Sequence, residues 1–195
     1  YFQFKHDEFQ GTVYDRPQRD FDFTAAPQEL TAFTTTDPYG AIGWRLGLVN
    51  QDLGGCSADP AWNVVVIDPY TFEPWGTRYV DGLANPPVTY NPDHDFGNHP
   101  PCRQRVMNFF HFRQNSPDQM AALAVMLNES IPAGHHILMY TWFYLDMDGM
   151  ASTPAVRSAL NALGMPDFGT LQDSVPYIFY VRKGFPETYV DTTAI

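Results

Sequence analysis

Histidine and aspartate crowd one short stretch of this chain. Asp93-His94-Asp95 and His99 lie together, and neutral imidazole with carboxylate suits zinc or a similar divalent ion. The spacing argues otherwise. His94 and His99 stand five apart on irregular chain, whereas a His-Glu-x-x-His site sets its pair four apart on one helix face. Asp146-Met147-Asp148-Gly149 begins like a calcium loop, but an EF-hand needs a glutamate six residues after its glycine, and that position is Ala155. Neither segment is expected to hold a metal. The Gly-x-Ser-x-Gly elbow, the phosphate loop and the dinucleotide fingerprint are absent. Paired carboxylates occur as in any acidic chain and carry no weight for glycoside hydrolysis without a measured separation. An enzyme is not expected, nor a cofactor. A metal-assisted hydrolase using the 93–99 stretch is the form an enzyme would take.

What remains is rings beside acids. Trp75, Tyr79, Trp142 and Tyr144 fall near the ends of apolar runs, with Asp81, Asp146, Asp148 and Asp173 close in sequence. A sugar is held by a flat ring against its C–H face and by a few directed polar groups at its hydroxyls, a mixture common to small-molecule sites. The competing expectation makes Trp75 and Trp142 core rings and Asp81 a turn-stabilising residue. His135-His136 opens a strand, and neighbours on a strand face opposite sides, so one imidazole is expected exposed and the other packed.

The elements that must position these groups are legible in part. Asn63-Val64-Val65-Val66-Ile67 is β-branched over four residues, the pattern of a strand buried on both faces. Asp68 to Pro74 carries two prolines and reads as a turn into a second strand, Gly76 to Asp81. Ile42 to Val49 reads as a strand whose glycines suggest a bulge, and Arg105 to Phe112 as another. The stretch 82–102 is too rich in proline for regular structure, with Asn85-Pro86 and Asn91-Pro92. A helix is expected from Ser116 as N-cap, with Pro117 at its first position and Gln119 three after the cap. Met120, Leu123, Ala124 and Leu127 form its buried face. A second helix runs from Thr153-Pro154 to Gly164, burying Val156, Leu160 and Leu163. Strands from His135 to Trp142 and from Tyr177 to Val181 complete the set. Hairpin-linked strands with two short helices imply an α+β fold, a β-sandwich-like sheet core flanked by short helices.

At 195 residues the chain fits one domain with an added arm. Residues 1–39 are expected to be an N-terminal arm or linker, with Tyr1-Phe2-Gln3 matching the end of a common protease-tag sequence, and 40–195 the domain proper. Against 11 Lys+Arg stand 22 Asp+Glu, a formal charge of −11. That excludes nucleic acid, which needs a basic patch, and disfavours an anionic membrane surface. No apolar run reaches the length of a spanning helix, so no membrane insertion is expected. Cys56 and Cys102 sit in separate loop-like contexts and can form one disulfide in an oxidising compartment, or remain two thiols. Neither has a cysteine two to four residues away, which disfavours zinc.

Five stretches, in order, resemble the ILEI/PANDER domain, the interleukin-like EMT inducer module. They are Asn63 to Asp68, Thr77-Arg78-Tyr79-Val80-Asp81, Ser130-Ile131-Pro132-Ala133-Gly134 leading to Ile137-Leu138-Met139, Ala159-Leu160-Asn161-Ala162-Leu163-Gly164, and Tyr177 to Val181 with Arg182-Lys183-Gly184. The likeness covers residues 40 to 186. It implies a compact sandwich without catalytic machinery, extracellular or at the cell surface, some relatives binding sugars. By position, Asp81 and Asp173 match the family's acidic residues and are expected to accept from sugar hydroxyls, with Trp75, Tyr79, Trp142 and Tyr144 as rings. Where the family has Arg-Asp before the last strand, this chain has Gln172-Asp173. The long 82–112 stretch resembles an insertion relative to the vertebrate proteins, and Cys56 with the Asp59 to Pro69 stretch is more similar to bacterial versions, which occur in large surface proteins of Bacteroidota, some linked to type IX secretion. The implied partner is a glycan or a neighbouring domain. The alternative function is a structural or protein-interaction domain of such a secretion or surface protein.

Overall fold

In the computed structural model the described residues are 2–5, 29–34, 42–47, 49–54, 60–75, 108–146, 153–166, 171 and 173–193. The expected strand at Gly76 to Asp81, the 82–102 stretch, His94, His99, Asp148, Tyr79, Asp81, Cys56 and Cys102 lie outside them.

Two antiparallel sheets and two short helices make an α+β fold with a sheet core. Strands β1 (Phe2–Lys5), β2 (Glu29–Phe33), β3 (Ile42–Leu46) and β4 (Val49–Gly54) form one sheet in that order. The second sheet comprises β5 (Ala61–Ile67), β6 (Phe110–Arg113), β7 (His136–Trp142), β8 (Tyr177–Arg182) and β9 (Phe185–Thr193), ordered β6-β5-β7-β8-β9. Helices α1 (Pro117–Val125) and α2 (Pro154–Ala162) accompany it.

Alternation along the second sheet sorts its side chains into two cores. Ala61, Val65, Ile67, Leu138, Tyr140, Trp142, Ile178 and Tyr180 pack with Leu30, Ala32 and Trp44 of the first sheet. Trp62, Val64, Val66, Ile137, Met139, Tyr177 and Phe179 pack with Met120, Leu123, Val156, Leu160 and Leu163 of the helices. β5 is covered on both faces, all seven of its residues buried, and this is why its sequence is apolar without alternation. Each large side chain so buried contributes about 1.5–3 kcal/mol. Two polar ties also cross between the sheets: Thr34 Oγ1 donates to the Thr141 carbonyl at 2.5 Å, and Asn108 Nδ2 to Gln51 Oε1 at 2.8 Å.

Local differences from expectation have physical causes. The strand expected over Ile42 to Val49 is a hairpin, because Gly47 adopts φ +58 and ends β3; the expected irregularity is a register shift between Trp44 and Arg45. Tyr177–Arg182 is not the last strand: Lys183 and Gly184 (φ +85) turn the chain into β9. α1 ends in a π-helical turn, Met126–Ser130, closed by Ile131 N–H to the Met126 carbonyl at 3.2 Å. The wider turn buries Met126 as well as Leu127. β2 pairs with β3, so the first sheet spans the expected boundary at 39/40. Among the described residues no helix is long and apolar enough to cross a membrane.

Candidate binding rim at the exit of β7

The rim begins with a glutamine. Gln114 follows β6 and is fixed by its own N–H, which donates to the Pro60 carbonyl at 2.8 Å. Its side chain is fully buried. Nε2 donates to the Tyr144 carbonyl at 2.9 Å, and Oε1 accepts from the Asp146 N–H at 2.7 Å. The amide thus stands in for a missing strand neighbour and satisfies two backbone groups of the segment leaving β7. Between them, Leu145 is buried and pairs with the approach to β8: its N–H donates to the Val175 carbonyl at 2.8 Å, and its carbonyl accepts from the Ser174 N–H at 3.0 Å.

Two non-glycine residues here hold left-handed backbone, Phe143 at φ +76 and Ser174 at φ +60. Such positions cost on the order of 1–3 kcal/mol and persist where surrounding contacts over-determine them; they cluster at binding sites. The Phe143 turn interrupts strand alternation and carries Tyr144 onto the rim. The two rings lie with centroids 4.5 Å apart, tilted by 47°, both half-buried. On the approach to β8, Asp173 is exposed and accepts from Ser174 Oγ at 2.9 Å. Asp146 is half-buried. Rings next to carboxylates can bind a ligand with an apolar face and hydroxyl donors.

Of the expected ligand residues, Tyr144 and Asp173 lie on the two segments that Leu145 joins through its hydrogen bonds with Ser174 and Val175. Trp142 does not join them: it is 1% exposed, within the core between the sheets, and meets His111 edge-on at 5.5 Å. It is the core ring of the competing expectation. His111 in turn shares a 2.9 Å hydrogen bond with the buried Asn63 side chain. Trp75 lies at the opposite end of the sheet, where its N–H donates to the Val66 carbonyl at 2.7 Å. β7, seven residues long, separates it from the rim by roughly 20 Å at about 3.3 Å per residue. Gln114, Phe143 and Ser174 were not foreseen. The traces of this site in sequence were Tyr144 next to Asp146, and Asp173.

At the Trp75 end, Asp68 organises the turn after β5. Its Oδ1 accepts from the N–H groups of Tyr70 (2.7 Å) and Thr71 (3.0 Å), and its Oδ2 faces His135 Nε2 at 3.7 Å. Trp75 meets the His135 ring edge-on at 5.3 Å. On the other face of the chain, His136 Nδ1 bonds Tyr180 Oη at 2.5 Å and stacks on Phe72, which is itself left-handed at φ +55. The two histidines do face opposite ways, but both are buried, 8% and 3% exposed; the expectation of one exposed ring is corrected because the turn covers one and the sheet pair the other. Burial pulls the His135 pKa below 6.5 despite Asp68, and Lys183 adds to the lowering. Burial lowers Lys183 as well; its ammonium donates to the Asn128 carbonyl at 3.2 Å.

A third polar group joins β8 to β9. Tyr177 Oη and Tyr189 Oη are 2.7 Å apart and both donate toward Asp191 Oδ2. Burial raises both phenol pKa values, reinforced by the Asp191 hydrogen bond at Tyr177 and by Tyr177 itself at Tyr189. Among the described residues no group of three His, Cys, Asp or Glu side chains could hold a metal ion.

Comparison with protein-family models and with curated proteins found no match.

Proposed function

We propose that this chain is a non-catalytic binding module that takes carbohydrate or glycoconjugate at the rim formed by Phe143, Tyr144, Asp146 and Asp173, within a larger extracellular or cell-surface protein. One observation carries the reading: a fully buried glutamine holds the backbone of 144–146 at both ends, and Leu145 between them is hydrogen-bonded to Ser174 and Val175, so that the segment carrying the half-buried Phe143–Tyr144 ring pair is joined to the one carrying the exposed Asp173. Binding sites work when their groups are held in place before the ligand arrives, since ordering them afterwards would consume affinity. The likeness of the Asn63 to Asp68, Ala159 to Gly164 and Arg182-Lys183-Gly184 stretches to the ILEI/PANDER domain supports the same reading, as does the position of Asp173. In that setting Cys56 and Cys102 form one disulfide.

A glycan array, followed by calorimetric titration of its hits, tests this. Asp173→Ala should weaken binding about tenfold or more, since a hydrogen bond to a charged group is worth roughly 1.5–3 kcal/mol, and Tyr144→Ala should weaken it by a similar factor through the lost apolar face, at about 25 cal/mol per Å² of ring surface covered. Trp142→Phe, inside the core, should leave affinity unchanged. A protein that binds no glycan at millimolar concentration ends the sugar reading.

A further inference from the structure

The end of the sheet opposite the rim has its own construction. The hairpin turn of residues 68–75 is fastened at its base by Asp68 N–H to the Glu73 carbonyl (3.0 Å), Phe72 N–H to the Asp68 carbonyl (3.0 Å) and the bridge between Ile67 and Pro74. Beyond the Trp75 N–H to Val66 bond and the packing of Trp75 on the helix-side core, it meets the neighbouring histidines: Asp68 and Trp75 against His135, Phe72 against His136. His135 Nδ1 is buried without a hydrogen-bond partner, and the ion-pair distance to Asp68, 3.7 Å, is longer than a hydrogen bond. The site thus shelters the imidazole from water, and that burial outweighs the partners that favour its charged form.

We propose that the 68–75 hairpin is an acid-released clasp, in which His135 holds Trp75 and Asp68 to the sheet while its ring is neutral and releases them when the ring takes a proton. The charged and titratable neighbours act in opposed directions. From the turn after β5, Asp68 favours the imidazolium; from the β8–β9 turn, Lys183 disfavours it; the backbone at Ala133 and Pro132 favours it. Arg182 is held on the neighbouring residue, its Nε donating to the Gly134 carbonyl at 3.2 Å and its guanidinium lying 4.5 Å over the Phe185 ring. His136 occupies the other face with Tyr180. Burial outweighs the favourable partners, so the closed form binds a proton less readily than an open one whose His135 is in water. The closed form is therefore fully favoured above about pH 6.5, the ordinary imidazole value, and loses ground as pH falls below it. One proton allows the open population to grow at most about tenfold per pH unit. Opening would also uncover the Trp75 ring, now half-buried against the helix-side core.

Heteronuclear NMR of the whole chain across a titration from neutral to mildly acidic pH tests the clasp. The amides of Asp68 to Trp75 should shift or broaden with the same midpoint as the His135 ring, while those of the rim stay put. In His135→Gln that transition should vanish. Should this variant fail to fold, two others decide. Lys183→Met removes a charge that opposes protonation and should move the transition to higher pH; Asp68→Asn keeps the Oδ1 acceptor of the turn but removes the favourable charge and should move it to lower pH. A His135 ring that titrates without any response at 68–75, or a response that persists in His135→Gln or moves the same way in the two charge variants, overturns the proposal.

Discussion

Gln114 shows how much of this site rests on one side chain that touches no ligand. Replacing it by leucine keeps the volume but leaves the Tyr144 carbonyl and the Asp146 N–H buried or half-buried without partners. An unsatisfied group costs roughly 1–3 kcal/mol, so Gln114→Leu should lower the urea-unfolding free energy by about that amount and weaken glycan binding at the rim; a variant with unchanged stability would mean that water replaces the amide. This residue was illegible in the sequence. Its partners lie 30 and 32 positions away, and a glutamine at the end of a strand carries no mark of what it will reach. Trp142 and Tyr144 pose the converse problem. They are alike in type and two apart, and plain alternation would put them on one face. The left-handed Phe143 breaks that alternation, and left-handed backbone is uncommon at a phenylalanine, so nothing in composition announces it.

At the scale of elements, what could be read was what local chemistry dictates. The β-branched run of β5 and the apolar faces of α1 and α2 all appear, and both helices carry proline in the first turn after Ser116 and Thr153. Neither cap residue makes its side-chain hydrogen bond; the expected capping-box glutamine, Gln119, instead accepts from the Arg113 N–H at 2.7 Å and ties helix to strand. β9 escaped notice because Phe185–Thr193 begins with Phe-Pro-Glu and owes its extended form to pairing with β8. Its contact with α2 is exacting at Gly164. That residue has φ +99, and a Cβ there would stand 3.1 Å from Tyr189 Cβ and 3.3 Å from the Pro186 carbonyl. Gly164→Ala should therefore destabilise by more than the roughly 1–3 kcal/mol of backbone strain alone. Gly134→Ala supplies the comparison, since Gly134 has φ +90 but its nearest neighbour is an Arg182 terminal nitrogen at 4.0 Å. Equal losses in urea melts of the two variants would show that the β9 contact contributes nothing beyond strain.

The whole molecule raises the question of where the folding unit starts. Composition placed an arm before residue 40, because residues 4–30 are polar with scattered phenylalanines. Pairing alone decides what such a segment does, and pairing is invisible in a polar stretch. Leu30 and Ala32 are fully buried in the core between the sheets, beside Trp44, Leu138 and Tyr180, and β2 supplies the neighbour that β3 would otherwise lack. A chain starting at residue 40 would lose both β1 and β2, leave one edge of β3 unpaired, and open one side of the inter-sheet core. Burial of Leu30 alone is worth about 1.5–3 kcal/mol within a total stability on the order of 5–15 kcal/mol, and the lost strand hydrogen bonds add to it. The shortened chain should bind a hydrophobic dye, aggregate through the bared β3 edge, and unfold at a much lower urea concentration, with the helical far-ultraviolet signal falling together with tryptophan fluorescence. If the helical signal instead melts as it does in the full chain while only the tryptophan signal changes, the first sheet is an appendage and the helix-backed sheet folds by itself.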